Sequence, residues 1–370
     1  MWKRRTPSAA AAILAVFIAI IAALHGSTPA QIPASPSFAR QVRELSEPGG
    51  TFDTDNLISN ERSYLHVLPA LKQLRVSGGT YVGVGPDQNF SYISAIRPSM
   101  AFLIDVRRDN LLLHLLFKAL FQTSDTRAEY LSRLFGRRLP NPPDQWHAAT
   151  LDKIASQLDA AVPREDDVRA LRRQTDVQIA SFGVPLTAQD FATIDRFHRR
   201  FIDGGLSLKF QTWGRAPRSY YPTYRDLLFE TDREKRRGNF LNSEDDYQFV
   251  RGLQQRDLII PVVGDLSGAS ALAAIAQAMR RRGDVLSAIY VSNVELYLFQ
   301  DGVFPRYVDN LVTMPHNSRS VIIRSIFAGP GAWSMPDTLP GYASASVVQR
   351  MDDFAAHKYS TYSELLSQAH

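Results

Sequence analysis

The 370-residue sequence contains no cysteine. Disulfides, thiolate nucleophiles, cysteine-based zinc sites and iron–sulfur clusters are therefore excluded. It has no G-x-S-x-G elbow, because the serine of Gly264-Asp265-Leu266-Ser267-Gly268 falls one position out of place. It has no P-loop and no H-E-x-x-H or His-x-His spacing, so no metal is expected. Strong charge of either sign is also missing. The net charge is +5, and Lys3, Arg4 and Arg5 supply three of those charges. The remainder carries 39 basic against 37 acidic side chains, which gives no electrostatic footprint for nucleic acid. The clusters Arg280–Arg282 and Arg233–Arg237 read as solvated helix ends and loops. No internal repeat stands out.

The N-terminus does carry a signal. Met1–Arg5 is positive, Ala9–Leu24 is an unbroken apolar run, and His25–Ala34 is small, polar and proline-containing. This is the order of a secretory signal peptide, with Thr28-Pro29-Ala30 near a cleavage site. The run also approaches the length of a spanning helix. Residues 1–30 are thus expected to be a signal peptide or an uncleaved anchor. The bulk is expected to be exported, either periplasmic or anchored in the inner membrane facing the periplasm. Membrane contact is expected only through residues 9–24, if they are retained.

Residues 31–54 read as a polar, proline-bearing linker. Asp55–Arg75 has helical spacing that Pro69 should end or kink. Tyr81–Gly85 reads as a strand, Asn89–Ile96 as a helix, and Met100–Val106 as a second strand whose continuous apolar character suits a central parallel position. Asn110–Phe121 follows as a buried helix capped by Asp109. Residues 124–256 are charged and mostly helical, a large helical insertion or cap. Helices are expected over Thr126–Phe135, Ala148–Ala161 and Ala188–Phe201, the last opened by Thr187 and Asp190. The aromatic run Tyr220–Tyr224 lines a ligand mouth or serves as packing. Strands resume at Asp257–Val263, Val285–Val291 and Arg319–Phe327, with helices over Ala269–Arg282 and Pro305–Leu311. The tail, residues 331–370, is loop-rich with an amphipathic helix around Ser344–Ala356. The core is therefore split into residues 55–123 and 257–330. The β-α alternation predicts an α/β protein with a doubly wound, mostly parallel sheet of Rossmann-like type.

In such a sheet, ligands sit beyond the carboxyl ends of the strands. Strand one delivers Gly83, Gly85, Asp87, Gln88 and Asn89 to that position. Strand two delivers Asp105, strand three Gly264 and Asp265, and strand four Ser292, Asn293 and Glu295. The glycines permit close backbone approach, and Asp105 lies twenty positions after Gly85, the spacing of a ribose-binding acid. A small-molecule or nucleoside ligand is expected there, with Asp265 accepting from an exocyclic amine and Asn293 and Glu295 nearest the reacting group. Asn60-Glu61 and His66 precede the core. Glu61 is a possible acid–base group, with a solvated helix face as the more ordinary reading. His114 reads as a hydrogen-bonded core residue.

This order resembles class I S-adenosylmethionine-dependent methyltransferases. Val82-Gly83-Val84-Gly85, Ile104-Asp105-Val106, Val262-Val263-Gly264-Asp265 and Val291–Glu295 match that family's four stations. The phrases GVGPDQNFSYI, DVRRDNLLLHLLFKALF and YVSNVELYLF also resemble an uncharacterised bacterial family with such a core. The resemblance implies S-adenosylmethionine as cofactor, held by Gly83, Gly85, Asp87, Gln88, Asn89, Asp105, Gly264 and Asp265. It implies Asn293 and Glu295 as catalytic residues acting on an unknown methyl acceptor. The sequence departs from the family in having Tyr81 where the glycine loop usually starts with an acid, and Asp87 at the third glycine. A long insertion separates strands two and three, and no β-hairpin is evident after Phe327. An exported domain would also lack a cofactor that is made in the cytoplasm. The alternative is an exported, non-catalytic binding or envelope-associated protein on the same scaffold. A periplasmic hydrolase using Glu61, Glu295 or Asp265 is the residual reading.

Overall fold

The computed structural model describes residues 37–54, 56–140, 144–213, 216, 218–327 and 338–368. The apolar leader lies outside them. Among the described residues no helix is long and apolar enough to cross a membrane.

The apolar runs form one six-stranded sheet. Its strands are β1 (Thr80–Val84), β2 (Met100–Asp105), β3 (Ile259–Val263), β4 (Leu286–Ser292), β5 (Val321–Phe327) and β6 (Ser344–Arg350), in the spatial order β3-β2-β1-β4-β5-β6. β1 to β5 are parallel, and β6 runs antiparallel along β5. Every residue of β1 and β3 is buried, as is nearly every residue of the other strands. Burial on both faces explains why the strands read as continuous apolar runs rather than alternating ones. The chain steps outward from β1 to β2 to β3, then returns to place β4 on the other side of β1. The direction of winding therefore reverses between β1 and β4, which is where an open α/β sheet leaves a crevice.

Two groups of helices pack on the sheet. One contains Gln88–Ile96, Arg108–Gln122 and Glu244–Gln255; the other contains Phe38–Leu45, Ala271–Arg282, Phe304–Val312 and Met351–Ala356. Arg108–Gln122 is buried over most of its length because it lies between the sheet and the insertion. Its one lysine, Lys118, places its ammonium 2.7 Å from Asp257 and donates to the Gln254 carbonyl. Between β2 and β3 the chain adds further helices at Arg127–Leu134, Asp144–His147, Leu151–Ala160, Glu165–Ser181, Ala188–Gly204 and Tyr224–Leu228. Thr187 and Asp190 form a reciprocal capping box, Asp190 N–H donating to Thr187 Oγ1 (3.1 Å) and Thr187 N–H to Asp190 Oδ2 (2.8 Å).

Four local expectations are corrected. The segment expected to be a linker contains the helix Phe38–Leu45, which buries Phe38, Val42 and Leu45, spaced at i, i+4 and i+7 on one face. Pro69 opens the helix Leu68–Gln73 instead of ending one, because the first turn needs no proline N–H. Arg107, not Asp109, occupies the N-cap of Arg108–Gln122. Ser344–Arg350 is a strand and not a helix: its serines face a polar seam under the 3-10 turn Arg62–Val67, where Ser63 Oγ lies 2.8 Å from Ser344 Oγ and 3.1 Å from Ser346 Oγ.

Candidate functional site

Because β1 to β4 are parallel, Gly85, Asp105, Asp265 and Asn293 all lie along one rim of the sheet. At a strand spacing of about 4.8 Å, the row from β3 to β4 spans about 15 Å. That suits an extended ligand better than a compact one.

The turn after β1 is held from within. Asn89 is fully buried, and its Nδ2 donates to the carbonyls of Val84 (2.9 Å), Gly85 (3.2 Å) and Pro86 (2.8 Å). Its Oδ1 accepts from the Tyr81 hydroxyl at 2.7 Å. Asn89 is thus a peg for the turn and not a ligand-facing group. A β-carbon at Gly83 would lie 2.0 Å from Asn89 Oδ1, so only glycine fits there. Gly85 has φ +84, which glycine alone adopts without strain. The Asp87 side chain does not cap the following helix; its Oδ2 accepts from the Tyr224 hydroxyl at 2.9 Å. Burial raises the Asp87 carboxyl to about 7. Tyr224 is therefore a structural tie between insertion and turn, where the sequence left Tyr220–Tyr224 as mouth or packing.

After β2, Asp105 is a partner of Arg107. Its Oδ1 accepts from Arg107 N–H (2.9 Å) and Nε (3.0 Å), and its Oδ2 from Nη2 (2.8 Å). Arg107 also donates to the Thr54 carbonyl, joining the rim to the segment that precedes the core. After β3, a β-carbon at Gly264 would lie 2.4 Å from the Ala271 β-carbon, so Gly264 lets the next helix approach. Asp265 closes a turn by accepting from Ser267 N–H (2.7 Å) and Oγ (2.9 Å). Glu47 accepts from the N–H groups of Asp265 (2.9 Å), Ser270 (2.9 Å) and Ala271 (3.1 Å), filling the helix start with a carboxylate from this chain.

After β4, Ser292 has φ +54 and a bulge separates it from Tyr290 in the pairing with β5. A left-handed serine beside a bulge at the switch point is a strained arrangement of the kind found at functional sites. Asn293 is half-buried and its Oδ1 accepts from Ser292 Oγ at 3.3 Å. Glu295 turns away from this rim into an internal ion pair. Arg324 donates to it from Nε (2.6 Å) and Nη2 (3.1 Å), with side-chain exposures of 0% and 1% for Arg324 and Glu295. The Tyr307 hydroxyl adds a third donor at 3.2 Å. This places Glu295 in a structural role, because its carboxylate is almost wholly buried against Arg324.

Glu61 occupies the position that Glu295 was expected to take. It is 1% exposed and accepts from the hydroxyls of Tyr290, Ser292 and Ser325. The solvated face expected for it is absent. Burial raises its pKa, opposed by the three hydroxyl donors. Gln88 extends the network, its Nε2 donating to the Tyr290 hydroxyl at 3.2 Å. His114, behind the β1 turn, lies 2.9 Å from the Gly85 carbonyl through Nε2, and burial lowers it to about 4.

A cavity of about 360 Å³ borders the β2–β3 end of the row, lined by Val42, Glu47, Arg108, Leu111, Pro185 and Val263. Val263 pairs in register with Asp105. A second cavity of about 440 Å³ lies by the insertion, among Arg62, Asp152, Asp159, Arg225 and Glu230. Among the described residues no cluster of metal-ligating side chains occurs.

The chain belongs to the family described as a domain of unknown function (DUF7790), whose signature spans residues 57–139 and 194–368. All six strands and every rim residue above except Glu47 and Thr54 fall inside the matched segments, which leave out residues 140–193 of the insertion. Among curated proteins no match was found.

Proposed function

We propose that this is a methyltransferase-like protein on a Rossmann-like core that binds a nucleoside ligand, S-adenosylmethionine or its demethylated product, along the rim beside the β1–β4 switch point. The observation that carries the reading is the strand order β3-β2-β1-β4-β5, with Gly85 at φ +84 at one station and Asp105 at the next. The 360 Å³ cavity, within the usual range for small-molecule sites, borders only the β2–β3 end of that row, where Val42, Leu111 and Val263 give it apolar faces. In this reading Asp105 accepts from ribose hydroxyls while keeping Arg107, since a carboxylate has about four acceptor positions. The Gly85 turn admits the ligand's polar chain. When bound, such a cofactor supplies an activated methyl group. The chain's own contribution is to orient the ligand, exclude water and present Asn293 to the acceptor.

A second reading is favoured by one specific observation. Glu47 occupies the backbone N–H groups after β3, and Asp265 is committed to Ser267. A scaffold whose ligand stations are filled by its own side chains suits an exported, non-catalytic binding or envelope-associated protein. Calorimetry of the full chain with S-adenosylhomocysteine separates the two. Saturable heat that Asp105→Ala abolishes supports the first; no heat at millimolar ligand leaves the second.

A further inference from the structure

The network around Glu61 has one accessible hydroxyl. Glu61 Oε2 accepts from the Tyr290 hydroxyl and from Ser325 Oγ (2.5 Å), and Glu61 Oε1 accepts from Ser292 Oγ. Glu61, Tyr290 and Ser325 are 1%, 0% and 0% exposed, whereas Ser292 is partly exposed, as are Asn293 and Val294 after it. Of the three hydroxyl donors, solvent therefore reaches Ser292. One carboxylate oxygen is anchored from behind by two buried donors, and the other is turned to the accessible serine. That is the order of orienting group, base and nucleophile by which serines are activated.

The backbone supports this assignment. Ser292 closes β4 at a strand-to-helix turn, immediately before Asn293 and the helix Val294–Gln300, and its φ is +54. A bulge at the same place re-aims the strand end. A left-handed serine on a sharp turn after a central parallel strand is the local geometry that presents a nucleophile at the rim of an α/β sheet, here without the glycine motif that usually accompanies it. Burial makes Glu61 a stronger base than a surface glutamate. The titratable groups that face it are Tyr81, Tyr92, Tyr290 and Tyr362, each held above its ordinary value by burial and so neutral where Glu61 titrates.

We infer that Ser292 is a nucleophile with Glu61 as its general base, and that the pair cleaves uncharged carboxylic esters. Ser292 Oγ attacks the ester carbonyl carbon while its proton passes to Glu61 Oε1. The bond from that carbon to the alcohol oxygen breaks, and Glu61 returns the proton to the departing alcohol. Water then gives a proton to Glu61 and attacks the acyl-serine, and the serine leaves with that proton. Ester and water become acid and alcohol, with no other reactant. A neutral ester is favoured because the Glu61 carboxylate repels a second negative charge beside it. This activity goes beyond the nucleoside reading and does not rest on it, since neither Gly85 nor Asp105 takes part.

The test uses the full chain with diisopropyl fluorophosphate, which phosphorylates activated serines with loss of fluoride, and with p-nitrophenyl acetate as a neutral ester. Peptide mass spectrometry is expected to find the label on Ser292. Ser292→Ala should abolish labelling and ester cleavage, and Glu61→Gln should slow both by about a hundredfold. In the unaltered protein, the labelling rate should rise with pH through a single midpoint above 4.5, the ordinary glutamate value, and then level off. That profile decides the matter even where a variant does not fold. A rate that climbs with hydroxide throughout, or a Ser292 peptide left unlabelled by excess reagent, overturns the pair. So does a folded Ser292→Ala protein that cleaves the ester as fast as the parent. No nucleoside enters the assay, so its failure leaves the outcome of the S-adenosylhomocysteine calorimetry unaffected.

Discussion

Replacing Asp87 by asparagine isolates one buried charge at the start of the site. Asp87 is 6% exposed, and its carboxyl is raised from an ordinary 3.8 to about 7. The unfolded chain releases this proton near pH 4, whereas the folded chain holds it until about pH 7. Folding is therefore favoured by this group below pH 4, and that contribution is lost as pH rises to 7. At about 1.36 kcal/mol per pH unit, the full loss amounts to about 4 kcal/mol. Asparagine has the same shape, keeps an oxygen for the Tyr224 hydroxyl and cannot ionise. Urea denaturation of both proteins from pH 4 to pH 8 supplies the comparison. Glu61 is shifted in the same direction, but it is common to both proteins and cancels in the difference. The two should be equally stable near pH 4, and Asp87→Asn should be the more stable by up to about 4 kcal/mol at pH 8. Stability curves that stay parallel within about 0.5 kcal/mol across this range would refute the assignment of a buried, proton-retaining Asp87.

Other perturbations test the same frame. Gly83→Ala should cost about 1–3 kcal/mol by chemical denaturation, since the new methyl meets Asn89 and Tyr81 and forces out the peg of the turn. Glu295→Ala should cost about 3–5 kcal/mol by leaving Arg324 buried and unpaired, while the double variant Glu295→Leu/Arg324→Met should recover most of that loss in the same assay. A Glu295→Ala protein as stable as the parent would return Glu295 to the list of substrate-facing residues.

The sheet was legible in the sequence because its strands are buried on both faces. Val82, Phe102, Ile260 and Ile289 sit in runs with no polar interruption, and each run ends in glycine or a polar residue at the rim. The row Gly85, Asp105, Asp265 and Asn293 followed from strand direction alone. What the sequence hid was partnership. Glu61 looks like a surface carboxylate locally, and its burial depends on Tyr290, Ser292 and Ser325, which lie 229, 231 and 264 positions away. The same holds for Arg324, whose charge is neutralised by a residue on a different element. β6 was hidden because Ser344 and Ser346 pack beneath Ser63 instead of facing water, so its polar positions mimic an amphipathic helix. Glu47 sat in a stretch with no motif, and only the fold carries it to the helix start after β3.

The central claim is that a nucleoside occupies the rim at the β1–β4 switch point. The most direct measurement is backbone amide chemical-shift mapping of the full chain during titration with S-adenosylhomocysteine. The account predicts that the signals of Gly83 to Asn89, Asp105 to Arg107, and Ser292 and Asn293 move together and saturate at one ligand concentration. Saturating shifts confined to the Arg62–Asp152–Glu230 cavity, or no shifts at millimolar ligand, would contradict it.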